Sequence, residues 1–362
     1  MKYPKSILDK FRPSFEPGGK LSFFKPIFDA LDYFLFLAPR TTKNPPFGRD
    51  PLDVKRYMSL VILGLVPSFL AALYFFGWRV LLILIVSYIA GGSVEVLFAL
   101  IRKEEINEGF LVTGFIYPLI LPPGIPLWMV AVGIVFGVFI GKEIFGGTGR
   151  NVFNPALIGR LFLALGYPAA MTGSWVKPGW LPWGKLLSSF TIGPPDAVTS
   201  ASPLVLAKSG QFTPLFNLFV GNVSGSLGET SAIAILLGGL FLLIVGVASY
   251  RTVFSVLLSF VGFNVLLRLV APSVVNPVLF NLLSGGILFG SFFMATDPVS
   301  SPVTQAGKWT YGIIIGLVTI LIRSFSGFVE GMMFAILFGN ICAPIIDEVI
   351  IRTKMRRYAR EE

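Results

Sequence analysis

Apolar residues in this chain neither alternate nor keep to a narrow stripe. They run in blocks of about 15 to 22 residues, which match a bilayer crossed as α-helix at ~1.5 Å per residue, and clusters of glycine, proline and charge separate them. The pattern predicts ten spans, near residues 57–76, 81–101, 110–121, 128–145, 152–167, 231–248, 252–270, 277–295, 309–322 and 328–349. The third and ninth are short enough to be half-helices. Between the fifth and sixth lies one long loop, residues 168–212, rich in Gly, Pro, Ser and Trp.

Two stretches interrupt this pattern. Residues 141–160 read GKEIFGGTGRNVFNPALIGR. There Gly146, Gly147 and Gly149 free the backbone, while Pro155 withholds an amide and disfavours helix at Asn154. Non-helical backbone at membrane depth survives only where it is buried in protein or lines a cavity, so this stretch predicts a site. A shorter echo, ATDPVSSP, occupies residues 295–302. Ahead of the two broken segments run GIVFGVF (133–139) and GILFGSF (286–292), which suggest an internal duplication; chance likeness between apolar helices is the competing reading. With five spans per half the repeat is inverted and both broken segments come near the midplane. The expected fold is an all-α polytopic membrane protein of ten transmembrane helices in two inverted five-helix repeats with broken helices.

Composition agrees. With 54% hydrophobic and 13% charged residues and a mean hydropathy of +0.78, the chain is not a soluble globule with an ordinary surface. The net charge of +10 suggests nucleic acid at first sight, but eleven Lys/Arg lie within the first 56 residues and five more within residues 352–360. These are membrane-flanking charges under the positive-inside rule, so no nucleic-acid partner is expected and both termini are cytoplasmic. The expected layout is a basic arm (1–56) with an interfacial apolar stretch at 27–37, a transmembrane domain (57–351) and a basic tail (352–362). Residues 1–20 carry no apolar core of a signal peptide. Cys342 is the lone cysteine and histidine is absent. That excludes an iron–sulfur cluster held by this chain alone, His-ligated haem and a histidine proton relay, so redox chemistry here needs an organic cofactor.

Four features carry candidate chemistry. In the long loop, DAVTSASPL (196–204) offers hydroxyls in an extended, accessible stretch; a plain polar loop is the alternative. Glu95, Glu143, Glu229 and Glu330 lie in or beside spans, where an unpaired carboxylate costs at least ~2.5 kcal/mol. They are candidates for coordinating a cation, although for Glu143 the neighbouring Lys142 offers an ion pair. Gly91 and Gly92 permit close approach of a flat ring or merely of another helix. Phe289 and Phe293 stand one helical turn apart ahead of the second broken segment; as a bare pair they read as core or lipid-facing.

These stretches, together with RDPLDVKR (49–56), GGSVEVLFALIRKEEINEGFLVT (91–113), GNVSGSLGE (221–229), MATDPVSSP (294–302), GKWTYG (307–312) and EGMMFAILFGN (330–340), give the chain a specific likeness over nearly its whole length. It resembles the B-subunit family of sodium-pumping NADH:quinone oxidoreductases and, more distantly, the D-subunit family of Rnf ferredoxin:NAD complexes. The resemblance implies a fold similar to urea and ammonium channels. It also implies FMN joined by a phosphoester to a hydroxyl in an Asp-x-x-Ser/Thr-Gly-Ala-Thr motif, attached by a flavin transferase outside the cytoplasm. Asp196, Thr199 and Ala201 match that motif; Ser202 takes the acceptor place of threonine and Ser200 replaces the glycine. Non-covalent riboflavin maps to Asn151, Asn154 and Asp297, where the competing reading is capping of half-helix ends. A quinone, ubiquinone or another, maps to Gly91 and Gly92, and the central constriction maps to Phe289 and Phe293.

The implied function is electron relay from covalent FMN through riboflavin to quinone, coupled to Na⁺ movement, in a six-subunit complex of the bacterial inner membrane. The chain has no GxGxxG fingerprint, nicotinamide site or iron–sulfur ligands, so electrons enter from partner subunits. Two alternatives stay open: an Rnf-type subunit, against which the 56-residue basic arm speaks, and a passive small-solute channel without redox function.

Overall fold

The computed structural model describes residues 54–103, 109–176, 201–328 and 330–361, with Pro13 and Pro178 besides. The interfacial stretch at 27–37, Asp196 and Thr199 lie outside the described residues. Among the described residues, nine helices have ten or more residues: α1 (Val54–Phe76), α2 (Arg79–Arg102), α3 (Gly109–Leu119), α4 (Leu127–Gly141), α5 (Pro155–Gly166), α6 (Ala232–Val245), α7 (Tyr250–Val270), α8 (Gln305–Phe325) and α9 (Met332–Glu361). Six are long and apolar enough to cross a membrane, namely α1, α2, α7, α8, the stretch Leu127–Phe145 containing α4, and the stretch Met332–Arg357 of α9. The helices α3, α5 and α6 are apolar but shorter. The regular structure of the described residues is helical, and the chain is a multi-pass membrane protein.

Of the two expected half-helices, the third block, 110–121, does form a short helix, the 11-residue α3, but the second lies elsewhere. The ninth predicted block, 309–322, belongs to a full 21-residue helix, α8. Its first turn is polar, so an apolar count misses it. That turn is fixed by Thr304, whose hydroxyl accepts from the Gly307 amide at 3.1 Å. Asp347 of α9 in turn accepts from the amides of Val303 and Thr304, at 2.7 and 3.1 Å. The eighth block, 277–295, is the broken one. It forms Val278–Leu283, then Ile287–Phe289 running into a π-helical turn, Gly290–Met294. The interruption falls at Ser284, Gly285 and Gly286, where Gly285 takes φ +64°.

Packing joins α1 to α6, α2 to α4, α4 to α5, α7 to α8 and α8 to α9, with α5 touching α9. Small residues permit these contacts, as in membrane bundles generally. At the α1–α6 crossing a Cβ on Gly238 would stand 1.8 Å from the Gly64 carbonyl oxygen, so the two backbones meet where only hydrogen fits. Tyr57 near the start of α1 donates to the Val247 carbonyl just past α6, at 2.8 Å, which sets those two ends at the same end of the bundle.

Candidate functional site

Both broken segments open onto one cleft. Its free space, open side included, is about 720 Å³, and its wall includes Tyr57, Lys142, Asn151, Asn154, Phe293 and Asp297. The first segment leaves helix after Gly141, passes through a 3₁₀ turn (Glu143–Phe145) and re-enters helix at Pro155. Asn154 is the N-cap of α5: its Oδ1 accepts from the Ala156 amide at 3.0 Å, with Pro155 at the first helical position. Asn151 donates through Nδ2 to the Phe153 carbonyl at 2.9 Å. Asp297 closes a similar local turn, accepting from the Val299 amide at 3.1 Å and the Ser300 hydroxyl at 2.9 Å.

The capping role expected as a competitor is therefore present at Asn154 alone, and the amides of Asn151 and Asn154 are not consumed by their local bonds. Asn154 keeps its Nδ2 donor and Asn151 its Oδ1 acceptor free of hydrogen bonds among the described residues. That donor and acceptor belong to residues lining a cleft that Phe292 and Phe293 line too, a combination that suits the edge and face of a flat heterocycle. The residues present thus fit an isoalloxazine. Phe289 and Phe293 are both buried, with ring centroids 5.0 Å apart at 45°; Phe293 reaches the cleft and Phe289 lies outside its lining.

The four membrane carboxylates are all paired. Glu95 receives both bonds of the Lys142 ammonium, at 2.5 and 2.6 Å. This corrects the expectation that Lys142 pairs with the adjacent Glu143, because their side chains leave the broken segment in different directions. Glu143 binds Arg102 of α2 instead, at 2.8 Å. Six residues into α5 from the Asn154 cap, about 9 Å along the axis, Arg160 holds Glu229 at 3.1 Å and also Glu330, and donates to the Ser226 hydroxyl at 3.4 Å. Glu229 and Glu330 line a second, smaller cavity of about 340 Å³ together with Ser202. Ser202 has the extended backbone expected of an acceptor but is only 7% exposed at the start of the short helix Pro203–Lys208. It faces a cavity and not open solvent, because Pro203 and Leu204 beside it are buried. Ala201, next to it, is exposed.

Gly91 and Gly92 separate in role. A Cβ on Gly91 would stand 2.6 Å from Phe110 and 2.7 Å from Ile134, so Gly91 is where α2 packs on α3 and α4. A Cβ on Gly92 meets Phe110 at an ordinary 3.4 Å, which leaves room beside it. The predicted residues therefore fall into three groups: the cleft, the Ser202 cavity and the α2 face. Sequence reasoning missed Arg102, Arg160 and Arg323, which answer or accompany the carboxylates. The signal was there, since an arginine within PALIGRLFLALG or VTILIRSF is as anomalous in a membrane helix as a glutamate.

A bundle of apolar helices, with two broken segments opening onto one cleft, defines the chain as a polytopic membrane protein. A family model described as NQR2, RnfD, RnfE family matches residues 41–356, and the chain belongs to that family. It is 41% identical to the B-subunit of the Na(+)-translocating NADH-quinone reductase of Ectopseudomonas mendocina and 39% identical to that of Azotobacter vinelandii, in each case over 98% of both chains. The corresponding protein of Pseudomonas aeruginosa is 37% identical over the same shares.

Proposed function

We propose that this chain is the membrane flavoprotein subunit of a sodium-translocating NADH:quinone oxidoreductase. End-to-end likeness to proteins bearing that subunit's name supports the assignment, and it favours this reading over the Rnf one because the likeness takes in the basic arm. The observation that carries the redox reading, against a passive channel, is the cleft: Asn151, Asn154 and Asp297 come from two distant broken segments onto one cleft, and Asn151 and Asn154 each keep one amide atom free.

In this reading Asn151, Asn154 and Asp297 hold riboflavin and Ser202 carries FMN through a phosphoester. Gly92 leaves space for a quinone ring, while Gly91 fixes the helix behind it. Bound flavins supply the electron-carrying chemistry, and Lys142 balances the charge of Glu95 beside the cleft. The four glutamates and the Phe289–Phe293 pair mark the ion path. NADH-oxidising subunits and a flavin transferase are the partners, and the complex sits in the bacterial inner membrane with both termini of this chain cytoplasmic.

The packing supports a ten-span inverted repeat. Val54 and Ala232, Gly109 and Ile287, and Leu127 and Gln305 start helical segments 178 residues apart; Pro155 and Met332 do so at 177, Arg79 and Tyr250 at 171. Corresponding contacts recur, α2–α4 with α7–α8 and α4–α5 with α8–α9. In this register the counterpart of α4 is α8, so the likeness between 133–139 and 286–292 joins segments that are not equivalent.

The test is flavin content. The complex purified with its transferase should release one acid-extractable riboflavin per copy of this chain. The peptide from Asp196 to Lys208 should carry the mass of one FMN, lost in Ser202→Ala and kept in Ser200→Ala. A flavin-free complex would leave only the channel reading.

A further inference from the structure

The four membrane glutamates differ in what their ion pairs leave over. Both oxygens of Glu95 are taken by the Lys142 ammonium. Glu143 gives Oε2 to Arg102, and Glu330 gives Oε2 to Arg160 with its side chain still 17% exposed. Glu229 alone of the four keeps a buried oxygen without a partner among the described residues: Arg160 takes Oε1 at 3.1 Å, and Oε2 meets no donor.

That oxygen has company. Glu229 lines the second cavity, and so do Thr230 and Ser284, 4% and 1% exposed, whose hydroxyls are likewise buried without partners among the described residues. Thr230 follows Glu229 in the chain, and the break in the eighth block brings Ser284 to them. A Cβ on Gly286 would collide with the Glu229 carboxylate and stand 3.2 Å from its Oε2, so the backbone just after Ser284 passes directly against it. One carboxylate oxygen and two hydroxyl oxygens therefore border one space with nothing bound to them, and leaving each so is costly. Such oxygens are the donors that hard cations take.

Charge fixes the class of cation. Arg160 answers one of the two negative charges of Glu229 and Glu330, which leaves one net negative charge at the cavity. Arg323 weakens it from outside the lining: it stands beside Gly285, bonded to the Asn281 carbonyl, within reach of both carboxylates. A single positive charge fits this balance and is held loosely, whereas a divalent ion takes more carboxylates. Loose binding is what an ion in passage requires.

We propose that the free oxygens of Glu229, Thr230 and Ser284 form a binding site for one Na⁺, completed by water. This rests on the reading of the chain as a sodium-translocating subunit, and it narrows ion binding among the four glutamates to Glu229. Ser202 lines the same cavity, so in the proposed orientation the site lies toward the outer side, where the ion leaves.

The test uses the whole complex as wild type, T230V and S284A, which keep both carboxylates and Arg160. NADH:quinone turnover is followed against NaCl, with choline chloride holding the ionic strength constant. Wild-type turnover that ignores Na⁺ removes the sodium reading and this site with it. With a Na⁺ response present, each variant should raise the Na⁺ concentration for half-maximal turnover about tenfold, while the half-saturating NADH and quinone concentrations stay at wild-type values. An unchanged Na⁺ dependence in either variant overturns the site and leaves the sodium reading standing. Binding is read apart from turnover in the ²³Na resonance of the oxidised complex, whose excess broadening should be smaller in both variants; broadening equal to wild type overturns the proposal. If the variants do not assemble, diffraction from wild-type crystals soaked in Tl⁺ decides. An anomalous peak among the three oxygens upholds the site, and a map without that peak overturns it.

Discussion

The cleft at the broken segments and the Arg160 cluster both hold buried polar side chains, and they lie about 9 Å apart along α5, yet they solve the problem of burial in opposite ways. In the cluster, charge meets charge: one guanidinium takes two carboxylates from distant parts of the chain. In the cleft, neutral amides satisfy their own turns and keep one atom each in reserve. The first arrangement holds the fold together; the second leaves atoms for a ligand. A polar residue in a membrane protein is therefore better judged by what its partners leave over than by its burial.

The comparison predicts the largest effect at Arg160. Arg160→Leu leaves the buried Glu229 and the part-buried Glu330 uncompensated, at a cost of about 3 to 5 kcal/mol, and should abolish assembly or lower the thermal midpoint of the detergent-solubilised complex steeply. Unchanged yield and midpoint would mean that the cluster is not a structural clamp.

At the Lys142–Glu95 pair, Lys142→Met alone should destabilise by several kcal/mol. The double variant Lys142→Met/Glu95→Leu should recover most of the loss, since replacing both members of a buried pair is often near neutral. A denaturation cycle over the four proteins measures this, and additive losses would deny the pair. The same double variant also sharpens the contrast, because it removes charge beside the cleft without removing an amide from it.

Much of this was legible in the sequence, and what was not has physical causes. The apolar blocks located the helices, and the glycines and Pro155 located the first break, because local backbone chemistry alone dictates it. Hydropathy chose the wrong second half-helix: it cannot see that Thr304 and Asp347 start α8 inside a polar stretch, or that Gly285 stops the eighth block. Pairing was the least legible property. Lys142 and Glu143 are neighbours in sequence, but Glu95 and Arg102, on another helix, claim them.

A smaller effect separates the two α2 glycines. Gly91→Ala should cost about 1 to 3 kcal/mol through overpacking against Phe110 and Ile134, whereas Gly92→Ala should be close to neutral in stability. Gly92→Leu should assemble yet impair quinone reduction while leaving flavin reduction by the partner subunits intact. Unchanged KM and rate in the assembled Gly92→Leu complex would reduce this face to a packing surface.

The most direct test of the cleft is the amount of non-covalent flavin released by acid from assembled Asn154→Leu, Asp297→Leu and Asn154→Ser complexes. Asn154→Ser retains a good helix cap, so it removes the spare amide donor without the cap loss of about 1 kcal/mol expected for an aliphatic residue. All three should lose most of their acid-extractable flavin while covalent flavin, read as in-gel fluorescence of the denatured chain, stays at wild-type level. Full acid-extractable flavin in Asn154→Leu and Asp297→Leu would contradict it.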